Sequence, residues 1–119
     1  MRGIMNIEQK IELAVKSALD LKGFNIKSYD LRELSTYADF ALLISAKSDR
    51  QTKSIADKIR WDFKENKEIP LGVEGEQLGE WILMDYNELI IHIFQEDKRF
   101  YYDLERFWEN LPHKSYVND

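Results

Sequence analysis

Hydrophobic residues recur with helical spacing in the first half of the chain. The first such stretch follows Asn6, which can cap a helix, and it ends at Gly23. The second follows Ser48 and Gln51, which form a capping-box pair, and it ends in the charged run Lys64–Glu68. The spacing therefore predicts two amphipathic helices. Their apolar stripes are Ile7, Ile11, Ala14, Val15, Ala18 and Leu19 in the first helix and Thr52, Ile55, Ile59 and Phe63 in the second.

A third helix is predicted near the end of the chain. Asp97 suits its first turn, because a carboxylate is favourable at the positive end of a helix, and Pro112 follows its last turn. At 100° per residue, Tyr102 lies on the side opposite the apolar stripe and is expected to face outward. The predicted stripe consists of Phe100, Tyr101, Leu104, Phe107, Trp108 and Leu111.

Strand patterns occupy the segments between these helices. Phe40–Ala46 is apolar almost throughout, as in a central strand covered on both faces. Asn87 tolerates the left-handed conformation of a tight turn, so the strands around it are predicted to form a β-hairpin. The predicted strands are 24–31, Phe40–Ala46, a short edge strand within 69–80, Trp81–Met84 and Leu89–Phe94.

The order of elements predicts an α/β or α+β fold, with a single mixed sheet of about five strands covered by three helices. The 119 residues suit one domain, with a core at about 6–111 and a flexible tail at 112–119. There is no cysteine, no apolar run long enough to cross a membrane and no N-terminal targeting pattern, so a cytoplasmic protein is expected. The net charge of −5 favours a protein partner over nucleic acid.

Sequence motifs for catalysis are scarce. The chain has no phosphate-binding loop, dinucleotide fingerprint, zinc-protease motif or nucleophile elbow, so it is not predicted to be an enzyme or to need a cofactor. Glu74 and Glu76 could share one face of an extended segment and bind a divalent cation, or they could be solvated turn residues. Together with Asp85 they define the alternative function, a metal-dependent nucleotidyl or phosphoryl transferase.

Three residues allow both a structural and a binding interpretation. His92 lies within an apolar strand and on the same face as Phe94, where it could be a buried, hydrogen-bonded histidine or part of a semi-exposed binding face. Trp81 could be a core anchor or an interface residue. An outward Tyr102 beside arginines is typical of protein interfaces, although single exposed tyrosines are also common.

Successive motifs along the chain resemble those of one known family. They begin with Asp39–Phe40 and Ser48–Gln51, continue through Leu71–Glu76 (LGVEGE), Trp81–Asp85 (WILMD) and Ile90–Phe94 (IIHIF), and end with Arg99 and Tyr102–Trp108 (YDLERFW). In this order and spacing they resemble the ribosome silencing factor (Iojap) family over about residues 7–108. One departure is Asn87, where the family often has glycine.

The resemblance implies a fold and a function. The fold is a small mixed α/β domain, nucleotidyltransferase-like in shape and without catalysis. The function is binding to the large ribosomal subunit through its ribosomal protein fourteen, which blocks association with the small subunit and represses translation when nutrients are limited. Family members tend to form homodimers. Carried over by position, the candidate partner-binding residues are Trp81, Tyr86, His92, Phe94, Arg99 and Tyr102.

Overall fold

The computed structural model describes residues 4–34 and 37–117. In chain order the strands are β1 (Phe24–Asp30), β2 (Phe40–Ala46), β3 (Gly72–Glu74), β4 (Trp81–Asp85), β5 (Leu89–Gln95) and β6 (His113–Tyr116). The helices are α1 (Ile7–Asp20), α2 (Asp49–Glu65), α3 (Glu96–Tyr102) and α4 (Glu105–Trp108).

The described strands form one mixed sheet in the order β3-β4-β5-β2-β1-β6. β2 and β5 pair in parallel at its centre, and the other neighbouring strands pair antiparallel. The mixed α/β fold predicted from the sequence is confirmed, with six strands where about five were expected. The sheet keeps the predicted hairpin, in which β4 and β5 pair and Asn87 has φ 73°.

α1 and α2 cover one face of the sheet, which we call the helix face. Its core consists of apolar side chains from both helices and from alternate residues of the strands, among them Ile55, Ile59 and Phe63, which are fully buried. Asn6 caps α1 in a reciprocal capping box with Gln9. These contacts explain why the helical stripes of α1 and α2 were predictable, since both helices bury the side chains that recur every three or four residues.

The predicted capping box of α2 is only half formed. The Ser48 Oγ accepts a hydrogen bond from the Gln51 backbone N–H at 3.1 Å, as predicted. The Gln51 side chain instead accepts from the Lys47 N–H and donates to the carbonyl oxygens of Leu21 and Lys22. It thereby ties the start of α2 to the end of α1.

The predicted third helix is interrupted, which corrects the expected stripe. Asp103 adopts the left-handed conformation, with φ 50° and ψ 50°, and separates α3 from α4. Because the left-handed residue breaks the helix, a periodicity extended across Asp103 places the wrong side chains inward. Phe100, Tyr101 and Phe107 are 88%, 76% and 75% exposed, whereas Leu104, Trp108 and Leu111 pack against the sheet.

The expected flexible tail is also wrong for residues 113–116. They form the edge strand β6, which pairs antiparallel with β1, and the hydroxyls of Tyr116 and Ser28 lie 3.0 Å apart. Three of the four residues of β6 are exposed, so the segment has no apolar alternation from which a strand could be predicted. Residues 118–119 lie outside the described part of the chain.

Candidate functional site

The second face of the sheet, opposite α1 and α2, brings together most of the predicted site residues. β4 and β5 pair so that Trp81 lies beside Phe94 and Leu83 beside His92. The Trp81 ring stacks on Phe94 with the ring centroids 5.0 Å apart, and it contacts Tyr102 of α3 with the centroids 4.9 Å apart. These contacts form one aromatic cluster between the hairpin and α3.

His92 lies beneath Trp81 in this cluster and is only 7% exposed. The Trp81 Nε1–H donates a hydrogen bond to His92 Nδ1 at 3.0 Å, so Nδ1 carries no proton and the ring is neutral. Burial lowers the pKa of His92 to about 4. Of the two interpretations given by the sequence, His92 is therefore the buried, hydrogen-bonded histidine, and its partner is the half-buried Trp81.

Arg99 is buried and joins three elements. Its Nε and Nη2 donate to the two carboxylate oxygens of Glu105 in α4, at 2.8 and 3.1 Å. Its Nη1 donates to Ser45 Oγ of β2 at 2.9 Å and to the carbonyl oxygen of Asn25 in β1. Such a planar, forked donor holds α3 and α4 at a fixed angle on the sheet. Arg99 is thus placed to position neighbouring residues, since its own donors face inward.

Glu105 receives a further hydrogen bond, from the Tyr29 hydroxyl at 2.6 Å. Burial by itself raises the pKa of the Glu105 carboxyl, but the hydrogen bonds from Arg99 and Tyr29 outweigh it, and the net effect lowers that pKa. Burial, followed by the bond to Glu105, raises the pKa of the Tyr29 hydroxyl. The Glu105 carboxylate is therefore held in its charged form at the start of α4.

Tyr86 is separated from the other predicted site residues. It follows the end of β4, is 2% exposed, and packs on the helix face against Phe63 with the ring centroids 4.2 Å apart. Within the described residues, its hydroxyl is buried and has no hydrogen-bond partner. Alternation along the hairpin explains this position, because Ile82 and Met84 also belong to the helix-face core.

Four partly exposed apolar or aromatic side chains lie on the second face or beside it on α3. We call Trp81, Leu83, Ile90 and Tyr102 the docking face. The first three are half-buried, and Tyr102 is 45% exposed. Leu83 and Ile90 were not among the site residues predicted from the sequence, although Leu83 follows Trp81 by two positions and Ile90 precedes His92 by two, the spacing that places strand residues on one face.

The carboxylates of the alternative enzyme hypothesis do not converge. Glu74 is exposed on β3, and the chain turns at Gly75 so that Glu76 pairs with Arg60 at 2.8 Å. Asp85 accepts a hydrogen bond from the Asn87 N–H in the hairpin turn. Residues 4–34 and 37–117 contain no group of three His, Cys, Asp or Glu side chains arranged to hold a metal ion. The geometry thus gives this hypothesis no support.

The family model described as "Ribosomal silencing factor during starvation" matches residues 4–118. The chain belongs to this family. It is 31% identical to the ribosomal silencing factor of Bacillus subtilis over 108 residues, which cover 91% of this chain and 92% of the relative. It is also 28% identical to the chloroplastic Iojap protein of Zea mays over 80% of this chain and 41% of that protein. The expected family resemblance is confirmed.

A solved structure supports the same relationship. The crystal structure of a protein from Chromobacterium violaceum superposes with a TM-score of 0.86 at 29% identity, covering 96% of this chain and 95% of that one. The family is a regulatory one with a ribosome-associated role and is not a known enzyme family. Among the residues described here, no helix is both long and apolar enough to cross a bilayer.

Proposed function

We propose that this protein binds the large ribosomal subunit through ribosomal protein fourteen and blocks association with the small subunit. The blocking is steric and needs no catalytic step. It represses translation in the cytoplasm when nutrients are limited. Membership of the silencing factor family supports the regulatory role, and the docking face supports the mode of binding.

The observation that carries the proposal is the half-buried state of Trp81. Its ring rests on Phe94, its N–H is satisfied by His92, and part of its surface remains open beside Tyr102. An aromatic ring held in one orientation loses little conformational freedom on binding, which is the character of an interface hot spot. Leu83 and Ile90 are further partly exposed apolar residues of the same two strands, β4 and β5.

The structure suggests different roles for the six residues predicted from the sequence. Trp81 and Tyr102 are exposed enough to contact the partner. His92 and Phe94 are 7% and 1% exposed, so we assign them the task of orienting Trp81. Arg99, at 6% exposed, would position α3 and hence Tyr102. Tyr86 packs in the helix-face core, so we leave it out of the proposed contact. We include Leu83 and Ile90 instead, because both are partly exposed.

The free protein is proposed to be a homodimer that uses the same docking face. Partly exposed aromatic and aliphatic side chains favour self-association, because pairing removes their apolar surface from water. A dimer formed in this way would compete with the ribosome for Trp81 and Tyr102. Weakening the docking face should therefore weaken dimerisation and subunit binding together.

The test is co-sedimentation of the purified protein with separated large and small subunits, together with a subunit-joining assay. Trp81→Ala is the test variant, and Trp61→Ala is its matched control, because Trp61 is 60% exposed on α2, which covers the helix face. We expect wild type and Trp61→Ala to pellet with large subunits and to reduce joining. Trp81→Ala should lose at least about 2 kcal/mol of binding free energy while remaining folded.

Three outcomes would count against parts of this proposal. Failure of the wild type to pellet with large subunits would reject it altogether. Equal loss of binding in Trp61→Ala and Trp81→Ala would reject the docking face. Unfolding of Trp81→Ala, seen by circular dichroism, would assign Trp81 to the core, and Tyr102→Ala would then test the face, since Tyr102 is 45% exposed.

A further inference from the structure

A second surface lies on the other side of α3, between that helix and the start of β1. It is a groove of about 500 Å³ whose rim includes Phe24, Glu96, Asp97, Phe100 and Asp103, and we call it the aromatic–acidic groove. Phe100 and Tyr102 are two positions apart and so point about 200° apart around the helix. The groove is therefore separate from the docking face, and Phe100 on its rim is 88% exposed.

The charge of the groove is negative at its rim and compensated at its floor. Arg99 lies at the floor, but its guanidinium is paired with both carboxylate oxygens of Glu105. Within residues 4–34 and 37–117, the carboxylates of Asp97 and Asp103 form no ion pair. A cation entering the groove would therefore meet two carboxylates that form no ion pair, and Arg99, the cation among the lining residues, is already paired. Lys27 and Arg106 line the neighbouring depression, which shares Asp103 and Glu105 with the groove.

The protein's own Lys47 shows how this rim can hold a cation. Its Nζ lies 5.2 Å from the centroid of the Phe24 ring and 3.7 Å from Glu96 Oε1. The ammonium group is thus held between an aromatic ring and a carboxylate, which combines a cation–π contact with an ion pair. Phe100 with Asp97 and Asp103 presents the same two kinds of group without a cation.

We propose that the aromatic–acidic groove binds a lysine- and arginine-rich segment of a protein of the large ribosomal subunit. The inference rests on the proposed function and adds a second contact to it. The rim carboxylates would repel the phosphates of RNA. They also disfavour a second copy of this chain as the occupant, because its net charge is −5.

The test measures binding to purified large subunits as a function of salt. The site variants are Phe100→Ala and the double variant Asp97→Asn/Asp103→Asn, in which asparagine keeps the left-handed conformation accessible at position 103. The matched control is Glu33→Gln/Asp57→Asn, which changes the net charge equally at two exposed positions away from the groove. All three positions of the site variants are exposed, so the fold should persist.

We expect the double site variant to bind about tenfold more weakly at roughly 0.1 M salt and with a shallower salt dependence. Phe100→Ala should weaken binding at all salt concentrations, and the control pair should match wild type. The groove is rejected if both site variants bind like wild type, or if the control pair loses as much affinity. It is also rejected if the site variants alter only the monomer–dimer equilibrium, because the occupant would then be a second copy.

Failure of the proposed function gives a different result. If the wild type does not bind large subunits at all, both proposals fall. If the wild type binds and Trp81→Ala does not, while the groove variants behave like wild type, the proposed function stands and only the second contact is rejected.

Discussion

The ion pair between Arg99 and Glu105 should contribute more to stability than any other ion pair described in the protein. Arg99 is buried, and its hydrogen bonds connect α3 to three other elements. Replacement by methionine keeps most of the apolar stem and removes the guanidinium. Glu105 would then remain with one hydrogen bond, from Tyr29. Breaking a buried pair by removing one partner costs about 3–5 kcal/mol. The Glu105 side chain is 24% exposed, so water offsets part of this cost, and we expect a loss of about 3 kcal/mol.

Urea unfolding followed by circular dichroism measures this loss of stability. A double-mutant cycle shows how much of the loss comes from the interaction between Arg99 and Glu105. Arg99→Met, Glu105→Gln and the double variant should show a coupling of about 2 kcal/mol, because the second substitution removes the charge that the first leaves unpaired. The control is Arg32→Met. Arg32 pairs with Asp30 but is 62% exposed and screened by water, so its replacement should leave the free energy of unfolding close to that of wild type.

A small effect at Arg99 would refute the reasoning. If Arg99→Met unfolds within about 1 kcal/mol of wild type, the bridge does not hold α3 and α4 on the sheet. The role assigned to Arg99 in positioning Tyr102 would then fall with it. If stability falls as expected, subunit binding by the folded variant should fall as well, because Tyr102 belongs to the α3 that Arg99 anchors.

Three further predictions concern single residues. Tyr86→Phe should raise the free energy of unfolding by about 1 kcal/mol, because it removes a buried hydroxyl without a partner, and a loss in urea unfolding would contradict this. Gly75→Ala should lower the free energy of unfolding by more than about 2 kcal/mol in the same assay, because φ at Gly75 is 86° and the new Cβ would lie 2.0 Å from the Trp81 carbonyl oxygen. Gly72→Ala is the control and should be nearly neutral, because a Cβ there meets no atom within 4 Å. Folding lowers the pKa of Glu105, so its contribution to the free energy of unfolding should be complete above the unfolded value of about 4.3 and be lost as pH falls from there through the lower folded value. Urea unfolding of wild type and Glu105→Gln at several pH values measures this loss.

The predictable parts of the fold are those in which local pattern and burial agree. β2 has the predicted bounds, Phe40–Ala46, because both of its faces are covered and nearly every residue is apolar. The helix starts at Asn6 and Ser48 were predictable because capping is a local hydrogen bond. Asn87 could be assigned to a turn because few residues tolerate a positive φ.

The unpredicted parts depend on contacts between distant residues. The break at Asp103 accompanies the bridge between Arg99 and Glu105, and the bridge is completed by Ser45 and Asn25 from other strands. No periodicity in the helix encodes those partners. β6 is likewise defined by pairing with β1, and its own residues are mostly exposed. For the same reason, the sequence grouped Tyr86 with residues from which the sheet separates it.

Alternation along β4 and β5 places residues for stability and residues for binding next to each other in the chain. Ile82 and Met84 are fully buried on the helix face, whereas Trp81 and Leu83 belong to the docking face. A shift of one residue in the hairpin register would exchange the two sets and bury the binding residues. The turn at Asn87, with its positive φ, is therefore a determinant of the docking face although it lies outside that face. A substitution there that moved the register would abolish binding and stability together, whereas Trp81→Ala should separate them.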